Sequence, residues 1–92
     1  MEISVIGLGY IGLPTALLLA KEGNKIKGYD KDIKKINMLR EGKLPFKEEG
    51  LEELFKQTKE NFEPVEKLEK SEVYLICVPT PEKERDRFNS TK

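Results

Sequence analysis

Short β-forming segments and segments with helical apolar spacing alternate along this 92-residue chain. Residues 2–6, 25–30 and 73–78 predict strands, and the last of these is an unbroken apolar run. The Ala- and Leu-rich segment over residues 10–22 predicts a helix, which Gly23 can end. The chain is therefore expected to begin with a strand–helix–strand unit.

Further elements are predicted between the second and the last of these strands. Residues 32–40 predict a helix capped by Asp32, and residues 48–60 predict another, with an apolar stripe among glutamates and lysines. A short strand is expected over residues 62–65, followed by a short helix or turn over residues 65–71.

This order of elements predicts an α/β fold built on a doubly wound parallel sheet of about four strands. The chain has the length of one small domain, which we place at residues 1–81. Residues 82–92 are polar and have no apolar period, so we expect a disordered tail. In such a sheet, ligands bind beyond the carboxyl ends of the strands, so candidate binding residues should follow the strands directly.

Three glycines, Gly7, Gly9 and Gly12, separate the first predicted strand from the first helix. In a dinucleotide-binding turn the first glycine allows a sharp turn and the second lets a pyrophosphate approach the backbone. The third lets the helix pack closely on the sheet. The amides of Tyr10 and Ile11 would then point at the phosphates, where the helix dipole favours negative charge. The pattern therefore predicts a Rossmann-type binding turn.

Other candidate binding residues follow the second and the last strand. Asp30 can accept hydrogen bonds from the hydroxyls of an adenosine ribose. The alternative is that the glycines only form a tight turn and Asp30 only caps the next helix. Lys34 and Lys35 either reach the nucleotide or are simply solvated. The Thr80 hydroxyl either contacts the nicotinamide half of the cofactor or is held only by the flanking prolines.

The amino-acid composition argues against several classes of function. Lysine plus arginine total 17 and aspartate plus glutamate total 17, so nothing indicates a nucleic-acid or anionic membrane surface. The apolar runs are shorter than the ~20 residues that a membrane span needs. The single cysteine, Cys77, excludes an intrachain disulfide and fits a cytoplasmic location, and no histidine is present to activate it as a nucleophile. We expect no catalytic residue and no metal site in this chain.

Three segments in the expected order resemble one known family. Residues 6–14 with their glycines, residues 28–30 and residues 77–81 resemble the NAD-binding domain of the UDP-glucose/GDP-mannose dehydrogenases, and the likeness covers residues 1–81. The form Gly-Tyr-Ile-Gly-Leu-Pro is most similar to the branch of UDP-N-acetylmannosamine and UDP-N-acetylglucosamine 6-dehydrogenases.

The resemblance implies NAD as the cofactor. It places Tyr10 and Ile11 at the phosphates, Asp30 and Lys35 at the adenosine ribose, and Thr80 against the dinucleotide. It also implies a partial, truncated Rossmann-type sheet, because the further strands and the sugar-nucleotide domain of the family have no counterpart here.

Members of this family oxidise the C6 alcohol of a UDP-sugar to a carboxylate in two NAD-dependent steps, through a cysteine-bound intermediate. Cys77 lies on a predicted strand and does not correspond to that cysteine. By resemblance, the chain is the NAD-binding N-terminal portion of such an enzyme. It is predicted to be inactive alone and to bind a UDP-sugar only as part of a complete enzyme.

Two other functions stay open on the sequence. The chain could be a free-standing nucleotide-binding module that regulates or completes a partner chain. It could also belong to a different class of Rossmann enzyme with the same glycine spacing, such as a flavin enzyme. Whatever the function, the strand over residues 73–78 is expected to have an open edge because the outer strands of a complete sheet are missing, and this predicts self-association.

Overall fold

A four-stranded parallel sheet forms the centre of the structure, a computed structural model that describes residues 1–77. The strands are β1 (Glu2–Ile6), β2 (Lys25–Tyr29), β3 (Phe62–Val65) and β4 (Val73–Ile76), and they lie side by side in the order β3-β2-β1-β4. Ile3 of β1, for example, lies opposite Ile26 on one side and Val73 on the other. The predicted α/β fold with a parallel sheet of four strands is confirmed.

Three helices connect the first three strands, and their apolar sides form the core with one face of the sheet. They are α1 (Gly12–Lys21), α2 (Ile33–Arg40) and α3 (Leu51–Gln57). The side chains of Leu13 and Leu17 on α1 are fully buried in the same cluster as Val5 of β1. Asp32 caps α2 as predicted, since its carboxylate accepts a hydrogen bond from the Lys34 amide at 3.1 Å.

The bounds of two helices differ from the prediction. The third helix begins at Leu51 rather than at residue 48, because Gly50 has a φ of 80° and a helix cannot continue through that left-handed conformation. It ends at Gln57, before Thr58, whose hydroxyl donates to the carbonyl of Leu54 at 2.9 Å. The first helix begins at Gly12 rather than at residue 10, because the preceding residues form a turn.

The connection over residues 66–72 forms neither the helix nor the turn that we predicted over residues 65–71. It runs from β3 to β4, which lie at opposite edges of the sheet, and side chains of the sheet hold it. Ser4 Oγ lies 2.5 Å from Ser71 Oγ, and Lys27 Nζ lies 3.0 Å from a carboxylate oxygen of Glu69. Because these contacts are made to the sheet and not within the segment, helical spacing did not reveal them.

The last strand is shorter than predicted, and one of its faces is open. β4 ends at Ile76, and Cys77 has already left the strand, although its amide still donates to the Ile6 carbonyl at 2.7 Å. The side chains of Tyr74 and Ile76 are 49% and 67% exposed. Thr80 and the predicted tail over residues 82–92 lie outside the described residues.

Candidate functional site

The glycine-rich loop, residues 7–11, joins the end of β1 to the start of α1. Gly7 has a φ of 100°, a conformation that favours glycine, and its amide donates to the carbonyl of Tyr29 on β2 at 2.8 Å. The loop therefore turns sharply out of the sheet while it stays bonded to the neighbouring strand.

Gly12 and Gly9 differ in what surrounds them. A Cβ at Gly12 would overlap the carbonyl oxygen of Gly7 and would lie 3.1 Å from the Cβ of Cys77. Gly12 therefore lets α1 start directly against both the glycine-rich loop and the end of β4. A Cβ at Gly9 would meet no atom of the described residues within 4 Å. The space beside Gly9 is thus open to a ligand, whereas protein fills the space beside Gly12.

The start of α1 presents unpaired backbone donors. The helix has no side-chain cap at Ile11 and no acidic residue in its first turn, and its first backbone bond runs from the Leu13 amide to the Gly9 carbonyl at 3.1 Å. Within residues 1–77, no backbone carbonyl accepts a hydrogen bond from the amides of Tyr10 or Ile11. Such donors at a helix N-terminus favour an anion, and a phosphate fits them.

The carboxylate of Asp30 connects three elements at the same end of the sheet. One oxygen accepts a hydrogen bond from the Leu8 amide in the glycine-rich loop, and the other accepts one from the Asp32 amide at the start of α2, both at 2.8 Å. Lys35 Nζ lies 3.6 Å from the oxygen that Leu8 contacts. The Asp30 side chain is 10% exposed, so it is held in place and still accessible at one side.

The electrostatics of this carboxylate favour its ionised form. Partial burial acts to raise the pKa of Asp30, but the amides of Asp32 and Leu8, together with the Lys35 ammonium, outweigh burial and hold the pKa below its ordinary value of 3.8. Asp30 is therefore ionised at neutral pH. An ionised carboxylate only accepts hydrogen bonds, which is what ribose hydroxyls require of a partner.

The structure brings most of the predicted site residues to the carboxyl ends of β1 and β2. Those it places there are Gly7, Gly9, Tyr10, Ile11, Gly12, Asp30 and Lys35. Thr80, the remaining predicted contact, lies outside the described residues.

Two residues that contribute to this site were missed from the sequence. Leu8 holds Asp30 through its backbone amide, and no sequence pattern marks that contact. Phe46 lies between α2 and α3, and its ring centroid is 4.4 Å from that of Tyr10. The only available signal for Phe46 was an aromatic residue in a connection rich in charged residues.

An open groove of about 790 Å³ lies between α3 and the connection that precedes it. It is lined in part by Lys43, Lys47, Lys56 and Lys59, and also by Phe46. None of the predicted cofactor residues lines this groove, which adjoins the site described above only at Phe46. Within residues 1–77, no group of three or more His, Cys, Asp or Glu side chains is placed to hold a metal ion.

Comparison with known proteins decides the family. Residues 1–91 match the NAD-binding domain of the UDP-glucose/GDP-mannose dehydrogenase family. The chain belongs to this family. The resemblance stated from the sequence is therefore confirmed, and so is NAD as the family's cofactor. A flavin enzyme is not supported, because the matching domain is an NAD-binding one.

Individual family members are similar over most of this chain. UDP-N-acetyl-D-mannosamine dehydrogenase of Methanococcus aeolicus is 46% identical over 82 residues, which are 87% of this chain and 19% of that protein. GDP-mannose 6-dehydrogenase of Pseudomonas putida is 38% identical over 89 residues, 90% of this chain and 20% of that protein. The chain thus spans about one fifth of the length of the curated relatives that it matches.

Solved structures of family members share the fold. The UDP-N-acetyl-mannosamine dehydrogenase of Staphylococcus aureus superposes with a TM-score of 0.84 at 36% identity, over 88% of this chain and 20% of that one. A ternary complex of the GDP-mannose dehydrogenase of Pseudomonas aeruginosa superposes with a TM-score of 0.80 at 34% identity, again over 88% of this chain and 20% of that one. The four-stranded sheet is therefore the Rossmann-type sheet of this family. Within residues 1–77, no helix is long and apolar enough to cross a membrane.

Proposed function

We propose that this chain binds NAD with its pyrophosphate on the glycine-rich loop and its adenosine ribose on Asp30, as the cofactor-binding part of a UDP-sugar 6-dehydrogenase. One arrangement carries the proposal. The amides of Tyr10 and Ile11, which no backbone carbonyl within residues 1–77 accepts, lie at the same end of the sheet as the ionised carboxylate of Asp30. The Leu8 amide joins the loop to that carboxylate. A dinucleotide presents the matching groups, since it carries a pyrophosphate anion next to a ribose diol.

The surrounding residues fit this cofactor. Gly9 leaves open the space through which a pyrophosphate would approach the backbone. Lys35 lies on the ribose side, beside Asp30, where its charge also favours a bound dinucleotide diphosphate. Thr80, which lies outside the described residues, is also proposed to contact the dinucleotide. Bound NAD would accept a hydride from the substrate, and these residues hold and orient it for that step.

The substrate proposal is a UDP-sugar, and UDP-N-acetylmannosamine is favoured by the names of the relatives in Methanococcus aeolicus and Staphylococcus aureus. Conversion of its C6 alcohol to a carboxylate releases two hydrides, so it would reduce two molecules of NAD and consume one of water. Among residues 1–77 we assign no nucleophile to that reaction, and Cys77 lies against Gly12 beneath the loop. We therefore propose that this chain holds the cofactor and does not itself oxidise the sugar.

A calorimetric titration of the 92-residue chain with NAD tests the proposal. We expect weak saturable binding that is lost in Gly9→Val. An activity assay with UDP-N-acetylmannosamine or UDP-glucose should produce no NADH from this chain alone. Absence of NAD binding would overturn the cofactor proposal, and NADH formation would overturn the assignment of the chemistry to other residues.

The alternative is a nucleotide-binding module that regulates or completes a separate partner chain. The coding sequence that follows the Lys92 codon distinguishes the two. A continuing frame with a cysteine-bearing sugar-nucleotide domain supports the enzyme, and a stop codon supports the module.

Self-association and cellular location are two further proposals. We propose that the chain self-associates through β4, because within residues 1–77 no strand pairs with the edge of β4 that faces away from β1. We also propose a cytoplasmic location, which a single free thiol at Cys77 supports.

A further inference from the structure

An aromatic contact joins the glycine-rich loop to a distant part of the chain. The rings of Tyr10 and Phe46 have centroids 4.4 Å apart, and their planes are inclined by 38°. Tyr10 lies in the turn that leads into α1, and Phe46 lies in the α2–α3 connection, residues 41–50. The contact therefore crosses from the loop that follows β1 to a segment that follows β2.

Phe46 is the anchored member of this pair. Its side chain is half-buried and packs against the hydrophobic core, as does that of Leu44 in the same connection. Gly42 and Gly50, with φ values of 82° and 80°, allow the chain to turn at the two ends of the segment. The Lys43 amide also donates to the carbonyl of Met38 at 2.8 Å. Because Phe46 packs against the core, it supports the Tyr10 ring that lies on it.

Tyr10 is the exposed member, and it carries one of the unpaired amides. Its residue is 72% exposed, yet its ring rests on Phe46. Aromatic rings prefer tilted or offset arrangements at this separation, so the contact is an attractive one. The contact limits where the Tyr10 ring can lie and thereby restrains its backbone, whose amide donates to no backbone carbonyl within residues 1–77.

We infer that Phe46 is a positioning residue for the cofactor: through the Tyr10 ring it holds the amides of Tyr10 and Ile11 in the orientation that receives the pyrophosphate. This inference rests on the proposed function, because it assumes that the phosphates bind at the glycine-rich loop. It assigns the α2–α3 connection to the cofactor site. Asp30 holds the same loop from its other side, through Leu8.

Affinities for two ligands distinguish a positioning role of Phe46 from a general effect of Phe46 on stability. NAD engages both the glycine-rich loop and Asp30, whereas adenosine engages only the Asp30 side. We expect Phe46→Leu to weaken NAD by about three- to ten-fold, since it removes an aromatic contact and keeps an apolar side chain. Adenosine affinity should stay within two-fold of the wild type, and Phe46→Tyr should restore NAD affinity, because it keeps the ring.

The measurement is an NMR titration of the full 92-residue chain with NAD and, separately, with adenosine. Leu44→Ala is the matched control, because Leu44 packs on the core from the same connection. It is expected to lower the free energy of unfolding and to leave the ratio of the two affinities unchanged. Tyr10→Leu should reproduce the loss seen in Phe46→Leu, and the double variant should lose no more than the larger single loss, as expected for two residues that act through one contact.

The outcomes are distinct. NAD affinity that is unchanged in Phe46→Leu, or NAD and adenosine weakened by the same factor, would overturn the positioning role while leaving the NAD proposal intact. A wild-type chain that binds no NAD would instead overturn the proposed function, and the positioning role with it. A selective loss of NAD that Phe46→Tyr restores would support the inference.

Discussion

The carboxylate of Asp30 accepts a hydrogen bond from the amide of Leu8 at 2.8 Å, across 22 residues of sequence. Its other oxygen accepts one from the Asp32 amide, also at 2.8 Å. The residue proposed to bind the ribose therefore also helps to hold the glycine-rich loop at the end of β2, together with the bond from the Gly7 amide to the Tyr29 carbonyl. Loop position and ribose recognition depend on the same side chain, and a substitution of Asp30 should affect both.

Asp30→Asn is expected to destabilise the fold. The amide of asparagine offers one acceptor oxygen, so either the Leu8 or the Asp32 amide would face an NH₂ group instead of an oxygen. A partly buried donor left without its acceptor costs about 1–2 kcal/mol. Chemical denaturation of both proteins measures this difference in the free energy of unfolding.

Asp32→Asn is the matched control for that variant. Asp32 caps α2 through one hydrogen bond to the Lys34 amide, and asparagine caps helices about as well as aspartate does. We expect its free energy of unfolding to stay within about 0.5 kcal/mol of the wild type. Equal losses in the two variants would mean that removal of an acidic charge, and not the loss of the Leu8 contact, explains the effect.

The stability of the chain should fall at acid pH in part through Asp30. Its pKa is lower in the folded chain than its ordinary value of 3.8, so the folded state holds its proton more weakly than the unfolded state does. The stabilisation from Asp30 is therefore fully present above the unfolded pKa and is lost as the pH falls through the folded pKa. Denaturation curves between about pH 6 and pH 2 should show this loss, with a smaller loss in Asp30→Asn. Identical pH profiles for the two proteins would contradict the assignment.

The order of strands and helices along the chain, and the placement of the candidate residues directly after β1 and β2, could be predicted from the sequence because both depend on local patterns. The glycines, the second strand and the capping residue Asp32 are each marked by residue type and spacing. The contacts that hold the site together are not marked in that way. The Leu8 amide looks like any other amide in the sequence, and the ring of Phe46 meets Tyr10 only after the chain has folded.

The start of α3 was missed for a different reason. Leu51, Leu54 and Phe55 have helical spacing, and that spacing is equally compatible with a helix that starts a turn earlier. Gly50 decides the boundary by its left-handed conformation, with a φ of 80°. Glycine is tolerated within helices often enough that its presence did not fix the boundary.

Gly9 and Gly12 should respond in opposite ways to substitution. Gly12→Ala places a Cβ on the carbonyl of Gly7, and backbone cannot yield there as a flexible side chain could, so we expect a loss of more than about 3 kcal/mol or an unfolded chain. Gly9→Val meets open space and should keep the fold while NAD binding is lost. Circular dichroism and a calorimetric titration with NAD distinguish these results. A folded Gly9→Val protein with wild-type affinity would show that the loop does not receive the pyrophosphate.

NAD should bind more tightly than NADP, because the 2′-phosphate of NADP would lie beside the Asp30 carboxylate. Two unit charges ~4 Å apart repel by about 4 kcal/mol at an effective dielectric constant near 20. Solvent and salt reduce this to about 1–3 kcal/mol, which is roughly 5- to 150-fold in affinity. Lys35, 3.6 Å from the same carboxylate, acts in the opposite direction.

Lys35→Met therefore provides the matched comparison for cofactor choice. It should weaken NADP more than NAD and so increase the preference for NAD, whereas Asp30→Asn should reduce that preference. Parallel calorimetric titrations with both cofactors measure these ratios. Equal affinity of the wild-type chain for NAD and NADP would exclude Asp30 as the ribose ligand.

Self-association should depend on β4. Ile76 is 67% exposed at the end of this strand, and burial of an isoleucine side chain contributes about 1.5 kcal/mol or more. Ile76→Lys should therefore shift association to at least about ten-fold higher concentration, because lysine on an edge strand opposes further pairing. Leu68→Lys is the control, since Leu68 is 53% exposed but lies in the connection before the strand. Light scattering over a concentration series measures the effect. A wild-type chain that stays monomeric at high concentration, or equal effects of the two lysines, would show that the edge of β4 does not recruit a second copy.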